Sequence, residues 1–132
     1  MKIPARFVDL MRQASAGDDR RVFITSLDGS TVRVYPLRAW EAIEARLQTV
    51  APTDEDAELF ARTVNYWGRE SQIDAAGRVL LPSLLRTHAK IDGEVHVAWS
   101  SDHLEVLDHV ALAKSPPVVS REVRARLKGL GL

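Results

Sequence analysis

Asp74 and Arg78 lie four residues apart, with Gly77 between them, in Asp74-Ala75-Ala76-Gly77-Arg78-Val79-Leu80-Leu81-Pro82. Glycine tolerates positive φ and lets a backbone approach another surface closely. An aspartate at this spacing can hold the arginine across the turn or bond the turn's own N–H groups. The guanidinium is the side chain best suited to bidentate contact with phosphate or guanine. A long side chain pinned in advance loses less entropy on contact. The chemistry these residues offer is therefore recognition of an anionic or planar ligand, not bond making.

Other reactive residue types form no such set. His88, His96, His103 and His109 are scattered over helix, strand and turn without the i, i+4 helical spacing of a zinc site, and read as surface or edge residues. Ser101-Asp102-His103 holds triad residue types, but sequence neighbours cannot make triad geometry. Gly68 and Gly77 belong to different elements, so no phosphate loop is expected. Trp40, Trp67 and Trp99 fit buried faces better than base-stacking platforms. No enzyme, cofactor, metal or small-molecule substrate is expected.

The elements around the turn follow from pattern. Asp74 to Pro82 reads as strand, one-glycine turn and second strand, with Arg78 at the second strand's start and Pro82 opening a helix with Leu84 and Leu85. Pro4 opens a helix through Phe7, Leu10, Met11 and Ala14 that Gly17 and Asp18 end. Val22–Thr25 and Val32–Tyr35 read as strands joined at Asp28-Gly29, a type I′ signal with both central residues at positive φ. Leu37, Trp40, Ile43 and Leu47 form the stripe of a helix opened by Pro36. Thr53 begins another, with Asp54, Glu55 and Asp56 in its first turn and Phe60, Val64 and Trp67 on its buried face. Val95–Trp99 and Leu104–Leu107 are strands around a turn at Ser100–His103. A short helix follows near Val110, Pro116-Pro117 stiffens a linker, and Ser120 caps a last helix to Lys128.

The halves repeat. Pro4 corresponds to Pro82, an offset of 78, and Val32-Val34 to Leu104-Val106, an offset of 72. The expected fold is α+β: two tandem βαββ-like units joined by a helical linker. The expected division is a first repeat over 1–50, a linker helix over 51–68, a second repeat over 69–114 and a basic tail over 115–132.

Composition sets the bounds. The chain has 132 residues, 45% of them apolar, enough for a packed core. It lacks cysteine, which excludes disulfides and thiolate metal sites. No apolar run approaches a membrane span and no apolar segment follows Met1-Lys2-Ile3-Pro4, so a soluble cytoplasmic protein is expected. Eighteen basic residues balance eighteen acidic ones, which argues against a generic polyanion binder but leaves local fields open. Fourteen of the basic residues are arginine. Asp54, Glu55, Asp56 and Glu58 cluster mid-chain, and Arg121, Arg124, Arg126 and Lys128 near the end.

The string Asp74-x-x-Gly77-Arg78-Val79-x-Leu81-Pro82, followed by Leu84-Leu85-Arg86 and a hairpin, resembles the MraZ family of regulators, built from tandem swapped-hairpin repeats of the SpoVT/AbrB type. Ile3-Pro4-Ala5-Arg6-Phe7 resembles the stretch after that family's first motif, and Val34-Tyr35-Pro36 with Trp40-Glu41 its strand-to-helix join. The resemblance spans roughly Met1 to Leu112. It implies that the two units form a small β-barrel with flanking helices, and it implies a nucleoid-associated, sequence-specific DNA-binding transcriptional regulator of the division and cell-wall gene cluster, binding repeated promoter boxes as a ring-like homo-oligomer. Carried over, Asp74 and Arg78 are the matching motif positions, Arg78 contacting DNA and Asp74 positioning it, and Gly77 shapes the turn; Ala76 counts with the expected DNA-binding residues, and Arg69 and Arg86, which flank the motif, are expected to add phosphate contacts. Ala75 and Ala76 stand where the family often has polar or basic residues, which weakens the expected phosphate contact. The first copy of the motif would lie before Met1: either the start codon is placed late, the favoured expectation, or this protein has half the DNA-reading surface, and the partner strand is left with an exposed edge. The alternatives are an oligomerisation module that has lost DNA binding and an AbrB-type antitoxin-like regulator.

Overall fold

The computed structural model describes residues 1–15, 17 and 19–131. Helix α1 spans Ala5–Ser15, strands β1 and β2 span Arg21–Thr25 and Val32–Pro36, and helices α2 and α3 span Leu37–Leu47 and Glu55–Trp67. Strand β3 is Arg69–Gln72, α4 is Ser83–His88, β4 and β5 are Val95–Ser100 and His103–Asp108, α5 is His109–Lys114 and α6 is Arg121–Leu127, followed by a 3-10 turn over Lys128–Leu130. The strands form one antiparallel sheet in the order β3-β1-β2-β5-β4. The α+β class is as expected, and the sheet is open rather than closed on itself.

Alternation along the strands sorts side chains to two faces. Val22, Ile24, Val32, Val34, Leu104 and Val106 point to one face and pack with Ile3, Phe7, Met11, Val79, Leu81 and Leu85. On the opposite face Tyr35, Trp40 and Val64 make a second cluster with Phe23, Ile43 and Phe60. The Phe23 and Trp40 rings stack 4.5 Å apart. One layer is thus α1, the turn segment and α4, and the other is α2 and α3. Trp40 is buried as expected, whereas Trp67 and Trp99 are half-buried against the first cluster.

The halves meet about a local two-fold relation. Strands β2 and β5 pair with Val32 opposite Val106, Arg33 opposite Glu105 and Val34 opposite Leu104. The offset of 72 makes Arg33 and Glu105 equivalent, so equivalent residues face each other. The offset of 78 makes Met1 and Val79 equivalent, and these also pair: Val79 N–H donates to the Met1 carbonyl at 2.8 Å and the Met1 amino group to the Val79 carbonyl at 2.9 Å. Each half supplies one side of every shared ladder, the signature of interlocked repeats.

Several local expectations are corrected. The Asp28-Gly29 connection is not a two-residue type I′ turn, because only Gly29 has positive φ, at 77°. It is a six-residue loop from Ser26 to Thr31, in which the Asp28 carboxylate accepts from the N–H groups of Ser30 and Thr31 at 2.8 and 3.0 Å. The Ser26 hydroxyl closes the loop by donating to the Thr31 carbonyl at 2.7 Å. Helix α3 begins at Glu55 and not at Thr53, and Asp54 caps it, accepting from Ala57 N–H. Helix α1 ends at Ser15, two residues before Gly17, and Asp18 lies outside the described residues. The strand before the Asp74 turn is β3, displaced upstream, and the strand after it shrinks to a single bridge at Arg78. Arg-Glu-Ser-Gln in β3 has no apolar alternation, so β1 imposes its extended form by pairing.

Candidate nucleic-acid interface

The Asp74–Arg78 turn is built from its own backbone. Gly77 N–H donates to the Asp74 carbonyl at 3.0 Å, and Asp74 N–H to the Arg78 carbonyl at 2.9 Å. Gly77 sits at φ +78°, which a Cβ would strain. The Asp74 carboxylate accepts from Arg78 N–H at 2.8 Å and Ala76 N–H at 2.9 Å. Of the two roles open to this aspartate, the geometry selects the second. It bonds the turn's N–H groups, and no ion pair joins it to the Arg78 guanidinium among the described residues. Those donors, the Arg78 N–H foremost, hold its carboxyl below the usual carboxylate range.

Asp74, Ala76 and Arg78 are exposed, and Gly77 is half-buried against the Ile3 carbonyl and Val8. The underside is anchored by Ile73 and Val79, both buried in the first core cluster. Arg78 therefore stands on a fixed base, its guanidinium without an ion-pair partner among the described residues.

Lys2 was missed by sequence reasoning. Ile3 N–H donates to the Gly77 carbonyl at 2.8 Å and Val79 N–H to the Met1 carbonyl, which makes Lys2 and Arg78 a directly opposed antiparallel pair. In a pair flanked this way the side chains approach most closely and share a face. Both are exposed, and neither has an ion-pair partner among the described residues. The only signal in the sequence was the offset repeat, which brings Met1–Ile3 beside Gly77–Val79.

Arg12, Arg20 and Arg21 line a cleft between α1 and the turn, with Asp74, Ala75 and Gly77 opposite. Arg21 is held there by Asp19, at 2.9 and 3.0 Å. Arg69 and Arg86 are exposed but do not share the turn's cleft. Arg69 lines a groove with Leu80 and Pro82 and donates to the Gly68 carbonyl at 2.7 Å. Arg86 lines another with Lys2, Leu80 and Asp92. Both border the chain leaving the turn, not the turn itself.

The histidines are not all surface residues. His103 is buried, packs tilted by 32° against the Tyr35 ring with centroids 4.6 Å apart, and bridges Asp102 and Glu105 at 2.8 and 3.1 Å. His88 joins the Gly29 carbonyl at 2.9 Å, tying α4 to the Ser26–Thr31 loop. His96 and His109 meet at 2.7 Å across β4 and α5.

Fold and site define a protein of two interlocked α+β halves that presents a rigid, cation-bearing turn to solvent. The sequence model of the family described as "MraZ protein, putative antitoxin-like" matches residues 68–112. Over 115 residues the chain is 36% identical to a protein of Acidobacterium capsulatum named transcriptional regulator MraZ, covering 87% of this chain and 77% of the relative. A protein of the same name from Thermoanaerobacter pseudethanolicus is 38% identical over 104 residues, 79% of this chain and 68% of the relative. Another, from Hydrogenovibrio crunogenus, is 32% identical over 117 residues, 89% and 76% of the two chains. The chain belongs to the MraZ family.

Proposed function

We propose that the chain is a transcriptional regulator that binds repeated boxes in promoter DNA through the Asp74–Arg78 turn, as a ring-like assembly of identical copies. The observation that carries this reading is the opposed pair Lys2 and Arg78, two exposed cations on a base fixed by Asp74 and the Met1–Ile3 pairing. Arg78 contacts a base edge or phosphate, Asp74 and Gly77 hold the turn's shape, and Ala76 lets its tip come close. Lys2 adds a phosphate contact, and Arg69 and Arg86 add weaker ones beside Leu80. The proposed organisation is two repeats over 1–50 and 69–114, a linker over 51–68 and a tail over 115–132.

Oligomerisation serves the chemistry. One turn offers a few contacts, and copies held in fixed geometry raise the effective concentration of the next turn at the next box. Leu80 and Leu84 are 74% and 48% exposed beside the turn and supply apolar surface for association. No described helix is long and apolar enough to cross a membrane. A cytoplasmic, nucleoid-associated location belongs to the same proposal.

The test is a gel-shift titration of the full chain against DNA from immediately upstream of its own gene, with size exclusion of the same sample. Arg78→Ala is expected to abolish the shift and leave the elution volume unchanged. Wild-type protein that assembles without shifting that DNA assigns the chain instead to an oligomerisation role.

A further inference from the structure

The C-terminal segment is a feature the DNA reading does not use. Ser120 caps α6, its hydroxyl accepting from Val123 N–H. Val123, Leu127 and Leu130 recur at helical spacing and make an apolar stripe, with Arg124 and Arg126 on its two sides. No residue of α6 is buried: Val123 is half-buried, Leu127 is 36% exposed, Leu130 in the turn that follows is 72% exposed, and Val118 in the linker is 85% exposed. None of Arg121, Arg124, Arg126 or Lys128 has an ion-pair partner among the described residues. A helix this short does not persist alone in water without an apolar surface to cover it.

A complementary surface lies elsewhere on the same chain. Between the end of α2 and the start of α3 runs a groove lined by Leu47, Val50, Pro52, Ala57 and Ala61. Asp54 and Glu58 stand on its rim, with Glu55 and Asp56 beside them on the same exposed first turn. Glu55 and Asp56 have no ion-pair partner among the described residues, and Glu58 has only Arg62 four residues on, an exposed pair of little strength.

We infer that α6 of one copy lies in the α2–α3 groove of a second copy. The stripe of Val123, Leu127 and Leu130 covers the groove floor, and the arginines on either side meet Asp54 and Glu58 on the rim and Glu55 and Asp56 beside it. Charge complementarity selects this occupant: four cations opposed by Glu122 alone face an acidic cluster of the same size. The second copy, not the chain's own groove, is the partner, because no residue of α6 is buried among the described residues while its own groove is open, and α6 stands at the end of a linker stiffened by Pro116 and Pro117. The contact is independent of the DNA-reading turn.

Zero-length carbodiimide cross-linking tests it on the full chain. Arg124→Lys with Arg126→Lys keeps the charges and places amines beside the stripe. Ordinary and heavy-nitrogen-labelled preparations of this variant are mixed, coupled and read by mass spectrometry of peptides. The expected result is mixed-isotope links between residues 124–128 and Glu55, Asp56 or Glu58. Adding Glu55→Lys and Glu58→Lys, both exposed, lowers the yield at Asp56 several-fold with an unchanged circular dichroism spectrum. Links only between like isotopes place the helix on its own groove and overturn the inference. Absence of any link from the tail to α3 overturns it too. So does a tail whose lysines are shielded only when DNA is added, which assigns the helix to the phosphate backbone.

Discussion

Lys2 and Arg78 stand directly opposite each other on one antiparallel bridge, two cations sharing one exposed face. Like charges in this position repel, so the fold tolerates a local cost that an anion between them would relieve. Lys2→Glu is expected to place an ion pair there, keeping or slightly raising the melting temperature while sharply weakening DNA binding. Lys2→Ala is expected to lower the salt slope of binding by about one. Thermal unfolding and titrations at several salt concentrations check both, and unchanged affinity in Lys2→Glu removes Lys2 from the interface.

The Asp74 carboxyl titrates below the usual aspartate range because the Arg78 and Ala76 N–H groups bond its charged form. A lowered folded-state pKa gives stability that is present above the unfolded value, about 3.9, and lost as pH falls through the folded one. The turn is therefore expected to be indifferent to pH near neutrality and to loosen only in acid. Amide exchange at Ala76 and Arg78, followed through that range, reads it. Asp74→Ala is expected to speed exchange at both amides at neutral pH, and Asp74→Asn, which keeps one acceptor, less so.

Gly77 takes positive φ with room for a Cβ, the nearest atom being the Ile3 carbonyl oxygen at 3.4 Å. The cost of Gly77→Ala is thus conformational and not steric, about 1–2 kcal/mol. Gly77→Asn is expected to cost less, since asparagine visits this region more readily. Denaturant unfolding separates the two, and equal losses would point to crowding instead.

Gly68 is the reverse case. Its backbone is ordinary, but a Cβ would lie 2.3 Å from the Phe23 ring and 2.4 Å from the Val64 carbonyl oxygen. Phe23 cannot yield, because it is stacked on Trp40. Gly68→Ala is expected to destabilise by about 1–3 kcal/mol through overpacking at the α3–β3 corner. A melting temperature equal to wild type contradicts this packing.

Residues whose signals were local could be read before any coordinates. Pro36 and Pro82 open α2 and α4, Ser120 caps α6, and alternation marks β1, β2, β4 and β5. Elements whose form comes from elsewhere could not. Strand β3 is polar and extended only because β1 bonds it, and His103 is buried because Tyr35, Asp102 and Glu105 surround it.

The amino-acid order alone determined the turn's composition, the two-copy pattern and the charge of the tail, because each rests on residues close in the chain or on a visible offset. Tertiary structure alone decided that Asp74 grips backbone instead of guanidinium, that Lys2 becomes the neighbour of Arg78, and that Arg69 and Arg86 border Leu80. The physical reason is that two-fold packing of equivalent strands brings together residues from opposite halves. Spacing along a chain carries no record of which side chains such a ladder will set face to face.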